Sequence, residues 1–341
     1  VSANIHGRGL RMRPLVDNID ALTLVDAEGD FRVCSRDENV ELFRLVVGGY
    51  GLFGLVYSVT LRLVPRRKVQ RIVGVIPVDS LMPRFEQRID SGFLYGDFQF
   101  ATDENSDGFL REGVFSCYQP VDQTTPMPAG QKHLSEQDWQ HLLLLAHTDK
   151  ARAFETYAAH YLATSGQVYW SDTHQLAVYL DDYHKQLDQK LGGAPGTEAI
   201  TEIFVPRAGL TLFLEKARAD FRTHHVDLIY GTIRLIERDN ESFLAWAKEA
   251  YACVIFNLHV EHTPEGRERA AQAFRRLIDL AIERGGSYFL PYHKHAARAQ
   301  VEVCYPQFSD FLCLKRRYDP EELFQSDWYR HYANLFAGSI E

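Results

Sequence analysis

Residues 48–54 read Gly48-Gly49-Tyr50-Gly51-Leu52-Phe53-Gly54, and the G-x-G-x-x-G within them poses the choice of fold. A Rossmann unit needs that motif to follow a strand and open a helix, so that a pyrophosphate rests on the helix N-terminus. Here the flanks are reversed. The preceding "RDENVELFRLVVGG" has helical spacing, with Asp37 or Asn39 to cap it, Leu42, Leu45 and Val46 as its apolar stripe and Gly48 to stop it. The following "LVYSVTLRLVP" alternates as a strand and is closed by Pro65. The first carboxylate after Gly54 is Asp79, too late for the ribose-binding acid of a Rossmann site. The order is helix, glycine loop, strand, which argues against a Rossmann fold. Four glycines in seven residues exceed the needs of one turn and predict close approach by other backbone or a flat ligand.

Upstream, "DALTLVDAEGDFRVC" predicts a hairpin turning at Ala27–Asp30. Downstream of Pro65-Arg66-Arg67-Lys68 the chain reads as a longer α+β region. "IVGVIPV", "GDFQFAT", "EIFVPR", "VDLIYGTIRLIE", "CVIFNLHVEH" and "SYFLPYHKH" are predicted strands. Helices are expected over 135–166 as one or two segments, with a loose capping box after Ser135, and then over 208–225, 241–251 and 264–286. Residues 191–199 are expected to form a glycine-rich loop leading into the strand "EIFVPR".

At 341 residues the chain is long enough for two domains with a large core. Its 45% hydrophobic and 24% charged residues are those of an ordinary globular protein, and a net charge of −9 argues against nucleic acid or an anionic membrane as main partner. Five dispersed cysteines without a C-x-x-C pair suggest neither a disulfide framework nor a cysteine zinc site, and predict a reducing, cytoplasmic setting. No apolar run reaches the length of a transmembrane helix; "HLLLLAHT" is the greasiest stretch. The chain opens at Val1 inside the loop-like "VSANIHGRG", which predicts residues upstream.

Alternation sorts polar side chains onto shared strand faces. Asn257, His259 and Glu261 share one face of their strand, and Tyr230, Thr232 and Arg234 one face of theirs, while His293 and His295 point the same way in "FLPYHKH". Such faces are solvated, or they converge on a polar cavity. A rival reading joins His259, Glu261, His293 and His295 as metal ligands.

The pairing of "SANIHG" with "ENVELFRLVVGGYGLFGLVYSVTLRLVP", and the closing "KRRYDPEELFQSDWYRHY", resemble the vanillyl-alcohol oxidase / p-cresol methylhydroxylase (PCMH)-type flavoproteins, nearest the alditol oxidase and sterol Δ24-reductase kind. The resemblance is strong over 1–67 and 284–333 and loose between. It implies an α+β fold: the second subdomain of a PCMH-type FAD-binding domain over 1–67, an α+β substrate (cap) domain with an antiparallel sheet flanked by helices over 68–303, and a segment returning to the FAD domain over 304–341. It implies FAD along Ser2, Ala3, Asn4, Ile5, His6 and Gly7, with the adenine end held by Gly48, Gly49, Gly51, Gly54, Leu55 and Val56. Arg234, Thr232, Asn257, His259, His293 and His295 fall where substrate meets flavin, with a histidine as base and Arg234 steadying negative charge. The implied activity is an FAD-dependent oxidoreductase taking hydride from a CH–OH or CH–CH group of a small polyol-like or lipid-like molecule, with O2 or a carrier as electron acceptor. The family's first FAD subdomain, roughly a hundred residues or more, has no counterpart here. Whether flavin is covalently attached is therefore open, and a fragment unable to hold FAD is the second alternative beside the metal reading.

Overall fold

The structure is a computed structural model that describes residues 1–173 and 183–338. The chain begins with a loop that leads into β1 (Ile19–Val25), β2 (Phe31–Ser35), helix α1 (Val40–Val46) and β3 (Leu55–Leu61). These strands form an antiparallel sheet in the order β2-β1-β3, with α1 packed on β2. Leu42, Phe43, Leu45 and Val46 of α1 are buried, so its stripe does what its spacing predicts. Asn39 holds the N-cap position in a left-handed conformation (φ 46°) and makes no side-chain cap. Its amide Nδ2 instead donates to Val33 O at 2.7 Å, fastening the helix to β2. Gly48 then breaks the helix at φ 82°.

The second sheet is built from β4 (Lys68–Pro77), β5 (Tyr95–Phe100), β6 (Glu112–Val121), β7 (Val168–Trp170), β8 (Gly196–Pro206), β9 (Leu228–Ile236), β10 (Tyr251–Glu261) and β11 (Ser287–Tyr288). Its order is β11-β8-β10-β9-β5-β6-β4-β7, and each paired neighbour is antiparallel. One face is apolar: it carries Val254, Phe256 and Leu258 of β10, Phe256 meets Phe213 and Phe221 of α6 (Leu210–His224), and α7 (Pro264–Ile282) packs on β8 and β10. Phe115 of β6 meets Phe85 of α2 (Leu81–Asp90) on the same side. The other face is covered by α3 (Glu136–Thr148) and α4 (Lys150–Ala163) over one part and by the N-terminal loop over another. Helix α5 (Tyr183–Leu191) borders β8. The chain closes with α8 (Arg298–Cys304), α9 (Phe308–Tyr318) and α10 (Asp327–Leu335), which return to the glycine loop: Phe53 meets Phe311, and Tyr50 packs on Trp328 at 4.4 Å.

Several expectations are corrected. Residues 241–250, read as a helix, form irregular turns, because Asp239 takes the amides of Glu241 and Ser242 and Trp246 is buried against Phe204. The strand expected over 287–295 stops after Tyr288. Ser135 and Asp138 make a complete capping box rather than a loose one, with Ser135 N donating to Asp138 Oδ2 at 2.8 Å. Strand β6 and helix α2 carry no expectation at all.

Candidate active site on the covered sheet face

The two loops singled out by sequence lie against each other. Gly48 N donates to Val1 O and Tyr50 N to Ser2 O, at 3.1 and 2.9 Å. Asn4, fully buried at φ 44°, anchors the first loop: its Nδ2 donates to Asp239 Oδ2, its Oδ1 accepts from Val16 N, and its carbonyl accepts from Trp246 Nε1. The glycines divide by purpose. A Cβ on Gly49 would lie 1.9 Å from Leu45 O, and one on Gly54 2.4 Å from Val25 O, so both serve close packing of the chain on itself. Gly7 and Gly51 face open space. The amides of Ala3, Ile5, His6 and Gly7 donate to no backbone or side-chain acceptor among the described residues. Free donors beside open glycines form the kind of cradle that an anionic or carbonyl-edged ligand fills. That arrangement fits the flavin site implied for Ser2–Gly7. Ile5 is 55% and Leu55 63% exposed, while Val56 is half-buried.

From this loop the chain crosses the polar face of the large sheet. His6 Nε2 lies 2.5 Å from Glu202 Oε1 on β8, and Arg8 Nε lies 3.3 Å from Asp97 Oδ2 on β5. Between those strands, Arg234 of β9 stands opposite Cys253 of β10. Arg234 makes no hydrogen bond or ion pair among the described residues, and its Nε is buried without a partner. Burying an unpaired guanidinium nitrogen is costly. Its strand neighbour Cys253 is grouped with the buried His6–Glu202 pair, so the unpartnered nitrogen lies in the neighbourhood of that pair and marks a place for a ligand. Burial pushes the Cys253 thiol well above its ordinary range, so it stands beside Arg234 protonated.

Further along the same face is a cavity of about 480 Å³ roofed by Trp139, Leu142, Leu143, Phe154 and Tyr157 of α3 and α4 and floored by Tyr230, Gln99 and Asn257. Its size and mostly apolar lining suit a small organic ligand. Gln99 Nε2 donates to Tyr230 Oη at 2.8 Å, which fixes one polar wall.

At the cavity edge Glu198 of β8 gathers His147 of α3, His184 of α5 and His259 of β10 at 3.1, 3.1 and 3.4 Å, and it accepts from Tyr183 Oη. Burial alone would raise its carboxyl, but the surrounding imidazoles and the Tyr183 hydroxyl hold it well below the usual carboxylate range. The hydrogen bond to Glu198 raises His259 against the effect of burial.

The sequence-derived residues therefore separate. Arg234, Thr232, Asn257 and His259 share the covered face, as alternation predicts. Thr232 is committed to the sheet, its Oγ1 donating to Phe98 O at 3.1 Å. His259 lies six residues along β10 from Cys253, on the order of 20 Å at strand rise, and is not beside Arg234. His293 and His295 lie behind the sheet, stacked on Phe274 of α7, and His293 Nε2 meets Thr201 Oγ1 at 3.1 Å. The expected strand ends at Tyr288, so no alternation carries these histidines to the Arg234 face. The ligand set His259, Glu261, His293 and His295 is not assembled; clusters form instead at His147–Glu198–His259 and His6–Glu202–Cys253. Sequence reading missed Glu198 and Glu202. Their i, i+4 spacing on a strand, interrupted by Ile200, was the available sign.

No protein-family model matches the chain. It is 38% identical over 113 residues to an uncharacterized oxidoreductase of the fasciation locus of Rhodococcoides fascians, covering 31% of this chain and 24% of that protein. Over 114 residues it is 32% identical to cytokinin dehydrogenase 4 of Oryza sativa subsp. japonica, covering 33% of this chain and 18% of that protein. Cytokinin dehydrogenase 9 of the same plant matches 78 residues at 32%, covering 23% of this chain and 15% of its own length. The matches span at most about a quarter of these relatives, and the relatives are oxidoreductases by name. No helix among the described residues is long and apolar enough to cross a membrane.

Proposed function

We propose that the chain forms the substrate cavity and one wall of the flavin site of an FAD-dependent oxidoreductase, with 1–67 and 304–341 on the flavin side and 68–303 as the substrate region. The observation that carries this reading is the set of unbonded amides at residues 3 and 5–7, together with the unpartnered Nε of Arg234, whose strand neighbour Cys253 is grouped with His6 and Glu202. The names of the relatives support the reaction class, and the PCMH-type resemblance supports the cofactor. Bound FAD would supply the hydride acceptor. The residues here would bind, orient and handle protons. The Ala3, Ile5, His6 and Gly7 amides hold polar oxygens, Gly51 leaves room for the adenine end, and Arg234 steadies negative charge. Grouped with Cys253 opposite Arg234, the His6–Glu202 pair, rather than His259, would be the proton-handling group. The roof of α3 and α4 would shield the cavity from water, and its mostly apolar lining favours the lipid-like over the polyol-like class of substrate.

The test is stopped-flow reduction of flavin in the full-length protein. Arg234→Met is expected to slow substrate-driven reduction by about 10²–10³-fold, the usual cost of one preorganised charge-stabilising donor. Unchanged reduction would reject the assignment. A full-length protein with no flavin absorbance, before or after incubation with FAD, would reject the cofactor.

A further inference from the structure

Three imidazoles converge on the single carboxylate of Glu198. Charge-assisted N–H···O contacts close to about 2.7–2.9 Å, and His6 with Glu202 comes closer still, at 2.5 Å. Around Glu198 three imidazoles stand off at 3.1, 3.1 and 3.4 Å. The ring of His147 is 2% exposed, and its Nε2 faces Glu198 Oε1 at 3.1 Å out of hydrogen-bond alignment, leaving that buried nitrogen without a partner. Two ligands at about 2.0–2.1 Å from a tetrahedral ion are separated by about 3.3 Å, the spacing that His147 Nε2 and His259 Nδ1 keep from Glu198 Oε1. Tyr183 Oη and His184 Nε2 take the other oxygen, Oε2, which fixes the carboxylate as outer partners of a metal ligand do. The three side chains come from α3, β8 and β10, so the packing of α3 on the sheet assembles the set.

We propose that His147, Glu198 and His259 bind a divalent cation of the zinc class, with its remaining coordination position open to the cavity that Glu198 lines. Two imidazoles and one carboxylate with an open position are the ligand complement of a site that receives a further donor rather than a closed structural one. Glu198 and Glu202 are four residues apart on β8, about 13 Å at strand rise, so the ion sits away from the His6–Glu202 pair. There it would hold an oxygen or nitrogen donor at the distal end of a cavity ligand. Metal binding here does not depend on the flavin reading.

The full-length protein should carry one equivalent of zinc by elemental analysis. After stripping with EDTA it should take up one equivalent of Co2+ with the visible absorption of a four-coordinate ion, and added Zn2+ should raise its Tm. Glu198→Gln and His147→Gln should abolish both responses, while Cys253→Ser, in the neighbouring His6–Glu202–Cys253 group, keeps them. A stripped wild-type protein that takes up neither ion overturns the proposal. So does uptake that survives Glu198→Gln or disappears in Cys253→Ser. If Glu198→Gln does not fold, His147→Gln decides, because its own melting curve shows whether it is folded and whether Zn2+ shifts it.

Discussion

His293 makes a sharp prediction about acid stability. It is 8% exposed, stacked in parallel with Phe274 at 4.4 Å, with Nε2 on Thr201 Oγ1 and Nδ1 accepting from the His295 amide at 3.4 Å. Burial, with His295 adding to it, pushes its pKa from 6.5 down to about 3. A proton on Nδ1 would also meet the amide hydrogen it now accepts. The folded state therefore keeps this ring neutral while the unfolded chain protonates below 6.5. Between about pH 6.5 and 3 the unfolded state binds the extra proton, so stability falls as pH falls. The loss is about 1.4 kcal/mol per pH unit below 6.5, or about 2 kcal/mol at pH 5. Urea denaturation of wild type and His293→Gln at pH 7.5 and pH 5 isolates this contribution, since every other group titrates in both proteins. Wild type should lose about 2 kcal/mol more than the variant on going to pH 5. Equal losses, within the error of the extrapolation, would show that the ring is protonated in the folded protein and refute the reasoning.

Other outcomes follow from particular contacts. Gly54 sits at φ 142°, and a methyl added there would lie 2.4 Å from Val25 O, whereas Gly51 at φ 75° faces open space. Gly54→Ala should cost more than about 2 kcal/mol and Gly51→Ala about 1–2 kcal/mol in thermal melts. Lys315 and Asp319 form an ion pair, both essentially fully buried, and Asp319 also takes the amides of Leu323 and Phe324. Lys315→Met should lose about 3–5 kcal/mol in denaturant titrations by stranding the carboxylate, and adding Asp319→Leu should recover only part of it. Cys313 alone is exposed, while burial raises the thiols of Cys34, Cys117, Cys253 and Cys304. A thiol reagent should label one cysteine in the native protein and five after denaturation.

Local pattern was enough for much of this chain. The hairpin, α1, the arrest at Gly48, and β3 follow from residues that are neighbours in sequence, because helix periodicity and turn chemistry are short-range. Alternation likewise placed Tyr230, Thr232 and Arg234 on one face of β9 and Asn257 with His259 on one face of β10, and the structure puts both sets on the covered side. Where local pattern failed, a distant partner intervened. Residues 241–250 have helical spacing, yet Asp239 caps their amides and Trp246 is drawn onto Phe204 and Asn4. His293 and His295 alternate as on a strand, yet β11 ends at Tyr288 and Phe274 of α7 captures both rings.

The sequence by itself determined that the glycine loop joins a helix to a strand and so serves no Rossmann helix, since strand-turn-helix order is a property of adjacent residues. Only the tertiary structure decided which charged groups meet. Glu202 finds His6 across 196 positions, and Glu198 finds His147 and His259 on two other elements. Charge pairing depends on distance in space, and strand order β8-β10-β9-β5, which sets that distance, is fixed by long-range pairing that no local pattern contains.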